Sequence, residues 1–240
     1  MKDELQVVIL AAGLGTRLGR PLPKPLTPLA DGRSILQQQL DNLAAAFGDR
    51  VRATIVVGFR PEQIMAAAPD ARFAYNERYE QTNTSKSLLK ALRGTSPGGV
   101  LWLNGDVVFD PALLLEIAPT ISEDRTFVCV NTAAVGEEEV KYTADARGFV
   151  RELSKSVVGG LGEAVGINYI ASADKPALVE HLENCRDSDY FERGIETAIE
   201  EAGMRVLALD ISAYFVVEVD FADDLERANV EVSRTVTSAA

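Results

Sequence analysis

The stretch LAAGLGTRLGRPLPKPL, residues 10–26, concentrates the groups most able to do chemistry. A short apolar run, LQVVIL, leads straight into Gly13 and Gly15. Glycine at such a turn lets backbone N–H groups approach phosphate oxygens with no Cβ in the way. Arg17 and Lys24 then supply fixed positive charge, spaced to reach two sides of one polyphosphate. Pro21, Pro23 and Pro25 stiffen the segment that carries Lys24. The spacing is not that of a P-loop, which ends in GK[ST]. Nor is it a GxGxxG dinucleotide loop, because residue 18 is Leu.

Carboxylates form a second group. Asp106 closes the apolar run GVLWLNGD, at the strand end where open α/β sheets place ligands. It could cap the next helix, but Asp110, directly before Pro111, is the better cap and leaves Asp106 for a cation. Asp220 precedes a helical pattern over 221–233, so it is either the N-cap of that helix or a second cation ligand. Two carboxylates from distant strand ends can share one Mg²⁺ while a triphosphate fills most other positions. Asp223 and Asp224 read as first-turn helix charges. Lys155 follows an alternating strand and is either solvated or, with Lys141, a candidate for holding a substrate phosphate; Glu163, Asp189 and Glu192 are candidates for contacting the rest of that substrate. The one histidine, His181, falls in a surface-helix pattern and is expected to be solvated, which disfavours a Ser/His/Asp triad or a His-rich metal site. Cys129 reads as a core residue in TFVCV; it and Cys185 are far apart, as suits a reducing cytoplasm.

The elements that must position these groups alternate. Strands are expected at 5–10, 51–59, 72–76 and 99–106. Between them lie helices at 34–47, after Pro61 and at 85–92, with another opening at Asp110-Pro111. In the first helix, Leu36, Leu40, Leu43 and Phe47 share one face and Ser34 is the cap. The pattern predicts an α/β fold with a mostly parallel sheet and helices on both faces. The second half predicts strands at 126–131, 140–144, 149–154 and 164–170, with a hairpin turn at Asp145–Gly148. Helices at 174–184 and 189–202, a strand pair within 205–219 and the helix 221–233 complete it. One domain over 1–233 is expected, with a frayed tail at 234–240.

The glycine segment closely resembles the signature of the nucleotidyltransferase superfamily with a GT-A-like fold, LAAGxGxR followed by PK. Asn76-Glu77-Arg78-Tyr79, Asn83 and Ser87-Leu88 look like the segment of cytidylyltransferases acting on phosphocholine and inositol phosphate, with phosphonate enzymes beside them. NGD (104–106), SK (154–155), GEAVGI (162–167) and EVD (218–220) look like their later landmarks. The short spacing from Arg17 to Lys24 is nearer to uridylyltransferases acting on N-acetylglucosamine phosphate. The resemblance implies a Rossmann-like three-layer sandwich with an antiparallel acceptor-side extension. It implies nucleotide contacts from Leu10, Ala11, Ala12, Gly13, Gly15, Thr16, Asn83, Ser87 and Gly105, although Asn83 and Ser87 also suit a loop residue and a helix cap. It implies catalytic cations at Arg17 and Lys24 and Mg²⁺ on Asp106 and Asp220. The expected reaction transfers a nucleotidyl group, CMP from CTP, to a small phosphorylated or phosphonylated acceptor.

The net charge of −12 disfavours nucleic acid and anionic membranes as partners. There is no long apolar span and no signal-peptide pattern at the start. A non-catalytic nucleotide sensor would be expected to have lost Arg17, Lys24 or an aspartate, and all are present. A glycosyltransferase DxD motif is missing at Asp106-Val107-Val108. Trp102 is expected in the core, although Tyr142, Tyr169, Tyr190 and Phe191 could still form a weaker cage around a quaternary ammonium. Asp189 and Glu192 suit a primary amine better, so an aminoalkyl phosphonate or phosphate is favoured over choline phosphate. A sugar 1-phosphate is the alternative, with Glu163 holding hydroxyls.

Overall fold

A computed structural model describes residues 4–15, 18, 19, 21–133, 136 and 139–239. The strands are β1 (Leu5–Ala11), β2 (Val51–Val57), β3 (Arg72–Tyr75), β4 (Val100–Asn104), β5 (Val107–Phe109), β6 (Phe127–Asn131), β7 (Lys141–Ala144), β8 (Val150–Ser154), β9 (Gly162–Ile170), β10 (Leu207–Asp210) and β11 (Val216–Glu218). The helices are α1 (Ile35–Phe47), α2 (Pro61–Ala67), α3 (Thr84–Arg93), α4 (Ala112–Ser122), α5 (Lys175–Asn184), α6 (Phe191–Ala202) and α7 (Ala222–Ala239). Among the described residues the main sheet runs β10-β6-β9-β4-β1-β2-β3, with β7 and β8 added beside β9. The pairs β4–β1, β1–β2, β2–β3 and β10–β6 are parallel. Strand β9 runs antiparallel to both β4 and β6. This is the expected Rossmann-like α/β sandwich with a mostly parallel mixed sheet and an antiparallel extension.

Alternation along β1 explains the layers. Val7, Ile9 and Ala11 face one core with Leu36, Leu43 and Phe47 of α1 and Leu113, Leu114 and Ile117 of α4. Val8 faces the other, with Leu88, Leu92, Leu178, Phe191 and Ile195 from α3, α5 and α6. Trp102 and Cys129 are buried as expected. Ser34 caps α1 by accepting from the Gln37 N–H at 3.1 Å. His181 departs from its expected solvation. It lies buried on α5, which packs against α6, with Nδ1 4.0 Å from a Glu201 carboxylate oxygen. Helix α7 continues to Ala239, past the expected stop at 233.

The second departure shapes the site. The segments within 205–219 do not pair with each other. Strand β10 joins β6 at the sheet edge, while β11 pairs antiparallel with β5, a three-residue strand directly after the NGD turn. That ribbon is covered by α7, where Val108, Val217, Val219, Leu225 and Ala228 form a third core. The ribbon carries residues 218–220 back beside Asp106, and the Val219 N–H donates to the Asp106 carbonyl at 2.9 Å.

The polar side of α1 holds the same turn. Gln39 is fully buried, and its amide donates to the carbonyls of Asn104 (2.9 Å) and Val107 (2.8 Å), the two residues that flank Gly105-Asp106. Gln38 and Asn42 donate to the Phe109 carbonyl at 2.9 and 3.3 Å. Gln39→Met keeps the volume but leaves both carbonyls without this donor. It should lower stability by ~1–3 kcal/mol in urea unfolding, the cost of buried acceptors left unpaired. An unchanged unfolding midpoint would mean that the clamp is dispensable.

Candidate functional site

A cavity of about 680 Å³ opens at the carboxyl ends of β1 and β4. Its floor is the backbone from Leu10 to Gly15 together with the Asn104–Asp106 turn. Two contacts fix these loops against each other. The Gly105 N–H donates to the Leu10 carbonyl at 2.9 Å. A Cβ on Gly105 would lie 2.7 Å from that carbonyl oxygen, so the approach requires glycine. Gly15 has φ +59°, and a Cβ there would lie 2.9 Å from the Lys24 Cβ. Glycine at 15 therefore lets the proline-stiffened segment bring Lys24 inward.

Lys24 ends between two carboxylates. Its Nζ lies 2.7 Å from Asp106 Oδ2 and 2.5 Å from Asp220 Oδ1. Burial works against the ammonium, but the two aspartates outweigh it and hold its pKa above the ordinary 10.5. The other oxygen of Asp106, Oδ1, is buried and accepts no hydrogen bond from the described residues. The structure brings Asp106 and Asp220 together on either side of the Lys24 ammonium. Asp110 accepts from the Ala112 N–H at 2.8 Å, as its capping role predicted.

The wall from α3 is tied to α6. Asn83 caps α3 through the Thr84 N–H (2.8 Å), and Thr84 Oγ1 accepts from the Phe191 N–H (3.1 Å). Ser87 is buried and receives the Asn76 amide at 3.0 Å. Asn83 and Ser87 both line the cavity, so the capping and lining roles coexist at Asn83. Thr16 and Arg17 lie outside the described residues.

Of the expected acceptor contacts, Lys155 and Glu192 line the cavity. The Lys155 ammonium sits over the Tyr190 ring, 5.2 Å from its centroid. Lys141, Glu163 and Asp189 are held outside the lining. Glu163 accepts from the Gly136 N–H (3.0 Å), Asp189 accepts from the Arg186 N–H (2.8 Å), and Lys141 stands opposite Glu163 in the β7–β9 pairing. Of the four aromatics expected for a cage, Tyr190 and Phe191 line the cavity, beside Tyr79 and Phe221, and the other two do not. Tyr142 and Tyr169 are buried, the Tyr169 hydroxyl donates to Asp124 at 2.8 Å, and Phe191 stacks edge-on against Trp102 at 5.6 Å.

Two further carboxylates enter the cavity unannounced by the sequence reading, Glu139 and Glu218. Glu218 accepts from the Asn104 amide at 3.2 Å. Burial, then the charges of Asp106, Glu139 and Glu192, push its pKa up. Strand periodicity was the signal for it: residues 218 and 220, two apart in an extended segment, face the same way. Glu139 is raised by burial and by neighbouring Glu163, with Lys155 opposing.

Glu192 is 8% exposed, and its Oε2 has no hydrogen-bond partner among the described residues. Burial raises its pKa from 4.5 to about 7, with Lys155 offsetting part of the effect. A raised acid costs nothing while protonated in both states, and its penalty grows as pH rises from about 4.5 to about 7. Glu192→Gln should therefore raise Tm at pH 8, by up to ~3 kcal/mol in stability, and much less at pH 5. Equal gains at both pH values would refute the raised carboxyl.

With this geometry in place, the comparisons are informative. Residues 7–163, more than half of the chain, match the family described as MobA-like NTP transferase domain. The chain is 39% identical to the CMP-5'-(3-aminopropyl)phosphonate synthase of Streptomyces rubellomurinus over 123 residues, 48% of this chain and 19% of that protein. It is 34% identical to the bifunctional protein GlmU of Burkholderia orbicola over 215 residues, 85% of this chain and 46% of that one. The chain thus spans less than half the length of these curated relatives. In three dimensions it superposes on the CTP:phosphocholine cytidylyltransferase of Streptococcus pneumoniae with a TM-score of 0.75, 18% identity and coverage of 95% and 99% of the two chains. A UDP-glucose pyrophosphorylase structure gives 0.77, 13% identity, 97% and 99%.

Proposed function

The chain belongs to the MobA-like NTP transferase domain family, and we propose that it transfers CMP from CTP to a small phosphonate or phosphate acceptor that carries a primary amine. The observation that carries this reading is the composition of one cavity. It joins a glycine-lined phosphate cradle, a cation slot and a buried carboxylate with an unpartnered oxygen. The backbone of residues 10–15 would cradle the triphosphate, with Arg17 and Lys24 neutralising charge as it develops. Asn83, Ser87 and Gly105 line the cavity and would border the base and sugar.

The donor set fits a magnesium ion. Among the described residues no group of three or more acidic, His or Cys side chains could hold a metal. Mg²⁺ requires only one or two carboxylates when substrate phosphates and water complete its shell. Asp106 and Asp220 would hold it, and the partnerless Asp106 oxygen is a ready ligand. When bound, the ion would supply Lewis-acid neutralisation of the phosphates.

In the reaction, an anionic acceptor oxygen forms a bond to the α-phosphorus in line. The bond to the β-phosphate oxygen breaks, and pyrophosphate leaves with the electron pair. The acceptor oxygen is already anionic, so the chain needs no nucleophile or general base. Its contribution is positioning and charge neutralisation. Lys155 would hold the acceptor anion, while Glu192 would receive its ammonium. A primary ammonium donates N–H hydrogen bonds to such a carboxylate; a trimethylammonium has none to donate and relies on aromatic faces, of which Tyr142 and Tyr169 are buried away from the cavity. The name of the Streptomyces rubellomurinus relative supports an aminoalkyl phosphonate and a cytidylyl donor.

A sugar 1-phosphate acceptor is the second reading, favoured by the longer match to GlmU. Against it stands Glu163, turned to the Gly136 N–H instead of lining the cavity.

A pyrophosphate-release screen of four nucleoside triphosphates against an aminoalkyl phosphonate, choline phosphate and a hexose 1-phosphate separates the readings. CTP with the aminoalkyl acceptor should exceed the alternatives by about tenfold or more in kcat/KM. A tenfold preference for another nucleotide or acceptor would overturn that part of the assignment. Asp106→Ala should abolish turnover, and Arg17→Ala should cost ~10²–10³-fold. Full activity of either folded variant would sink its role.

A further inference from the structure

The position of Lys24 has a consequence for how a cation enters. Its ammonium is within hydrogen-bond distance of one oxygen from each of two aspartates that are far apart in the sequence. The Lys24 side chain is 11% exposed, so it is buried in the slot and not lying over it. The same two carboxylates converge where a divalent cation would be held. An ion bonded to both oxygens would lie a few ångströms from the ammonium, and two cations at that distance repel strongly.

We propose that Lys24 is an internal stand-in for the divalent cation. Without metal and nucleotide its ammonium holds Asp106 and Asp220 together, and an incoming cation displaces it toward the triphosphate. The inference rests on reading those two aspartates as the metal ligands.

The device has a physical rationale. Two carboxylates brought together by the fold repel, and they lie in a cavity that already contains Glu139, Glu192 and Glu218. An internal ammonium removes that repulsion in the substrate-free protein. The segment behind it is suited to movement of the side chain alone. Pro23 and Pro25 flank Lys24, and the backbone there is a single 3-10 turn, Lys24–Leu26, closed by the Thr27 N–H donating to the Lys24 carbonyl at 3.0 Å. A fixed backbone with a four-carbon side chain gives the ammonium two destinations without moving the loop. Displacement also makes metal and nucleotide loading cooperative, since the ammonium leaving the aspartates becomes available to phosphate oxygens. The apparent dissociation constant for metal in the nucleotide-free protein is the intrinsic one divided by the fraction of molecules in which the slot is open.

Mn²⁺ titration of nucleotide-free protein, read by electron paramagnetic resonance, tests this. Lys24→Met should bind Mn²⁺ about tenfold or more tightly than wild type if the slot is filled in ~90% of molecules. Lys155→Met removes a charge from the same cavity but not from between the aspartates, and should gain far less. Equal gains in the two variants would reduce the effect to general electrostatics and overturn the stand-in, as would an unchanged affinity in Lys24→Met. In chelator, Lys24→Met should melt below wild type, and Mn²⁺ should restore it. If that variant does not fold without metal, Lys24→Gln gives the same comparison with a neutral donor retained. Asp106→Asn separates the two ideas. Wild-type Mn²⁺ affinity in Asp106→Asn would overturn the metal-ligand reading itself. Lost affinity there, with no gain in Lys24→Met, would overturn the stand-in alone.

Discussion

The cavity must accept a polyanion although its own side chains are mostly anionic. Asp106, Glu139, Glu192, Glu218 and Asp220 line it, against the ammonium groups of Lys24 and Lys155 among the described residues. In a partly buried space such charges interact more strongly than in water. The Lys24 ammonium between Asp106 and Asp220 is the local solution, and Glu139, Glu192 and Glu218 all have raised pKa values. Burial is the leading cause in all three, and neighbouring carboxylates add to it at Glu139 and Glu218.

Holding those carboxylates in place takes more of the fold than the sheet itself. The parallel strands β1 and β4 deliver the glycine loop and Asp106 to the same edge, as an open α/β sheet does. Asp220 arrives by a different route, through the short β5–β11 ribbon packed under α7. The Gln39 amide, reaching from α1 to both flanks of the NGD turn, couples the first helix to the site. A buried amide with two carbonyl acceptors fixes a turn more sharply than an apolar side chain would, because moving the turn leaves acceptors unpaired.

What the sequence disclosed follows from the range of the interactions. Strand β1 and its glycines could be read because an apolar run ending in glycine is a local signal, and Asp106 because strand and turn adjoin. The α/β layering followed from alternating periodicities. The partner of β11 could not be read, because β5 is three residues long and its pairing is set by tertiary packing. Buried His181 and Gln39 each occupy helix positions that look solvent-facing, and only the packing of α5 on α6 and of α1 over β5 reveals otherwise. Asp189 and Glu192 looked equivalent three residues apart, yet one closes a turn before α6 and the other enters the cavity from its first helical turn.

That last difference bears on acceptor choice. A carboxylate at the start of α6 benefits from the positive end of the helix dipole, and its own backbone N–H favours ionisation. Burial still wins and keeps the Glu192 pKa near 7. The balance is therefore close, and one additional positive charge in the cavity would complete the ionisation. Lys155 cannot do so fully while its ammonium rests over the Tyr190 ring. An acceptor bringing its own ammonium would supply that charge and hydrogen bonds to the unpartnered oxygen. A neutral sugar hydroxyl would supply a hydrogen bond without the charge, leaving the carboxyl's burial penalty in place. In the proposed reaction the same molecule brings its anion to Lys155 and its cation to Glu192, so a zwitterion matches both charges of this end of the cavity at once.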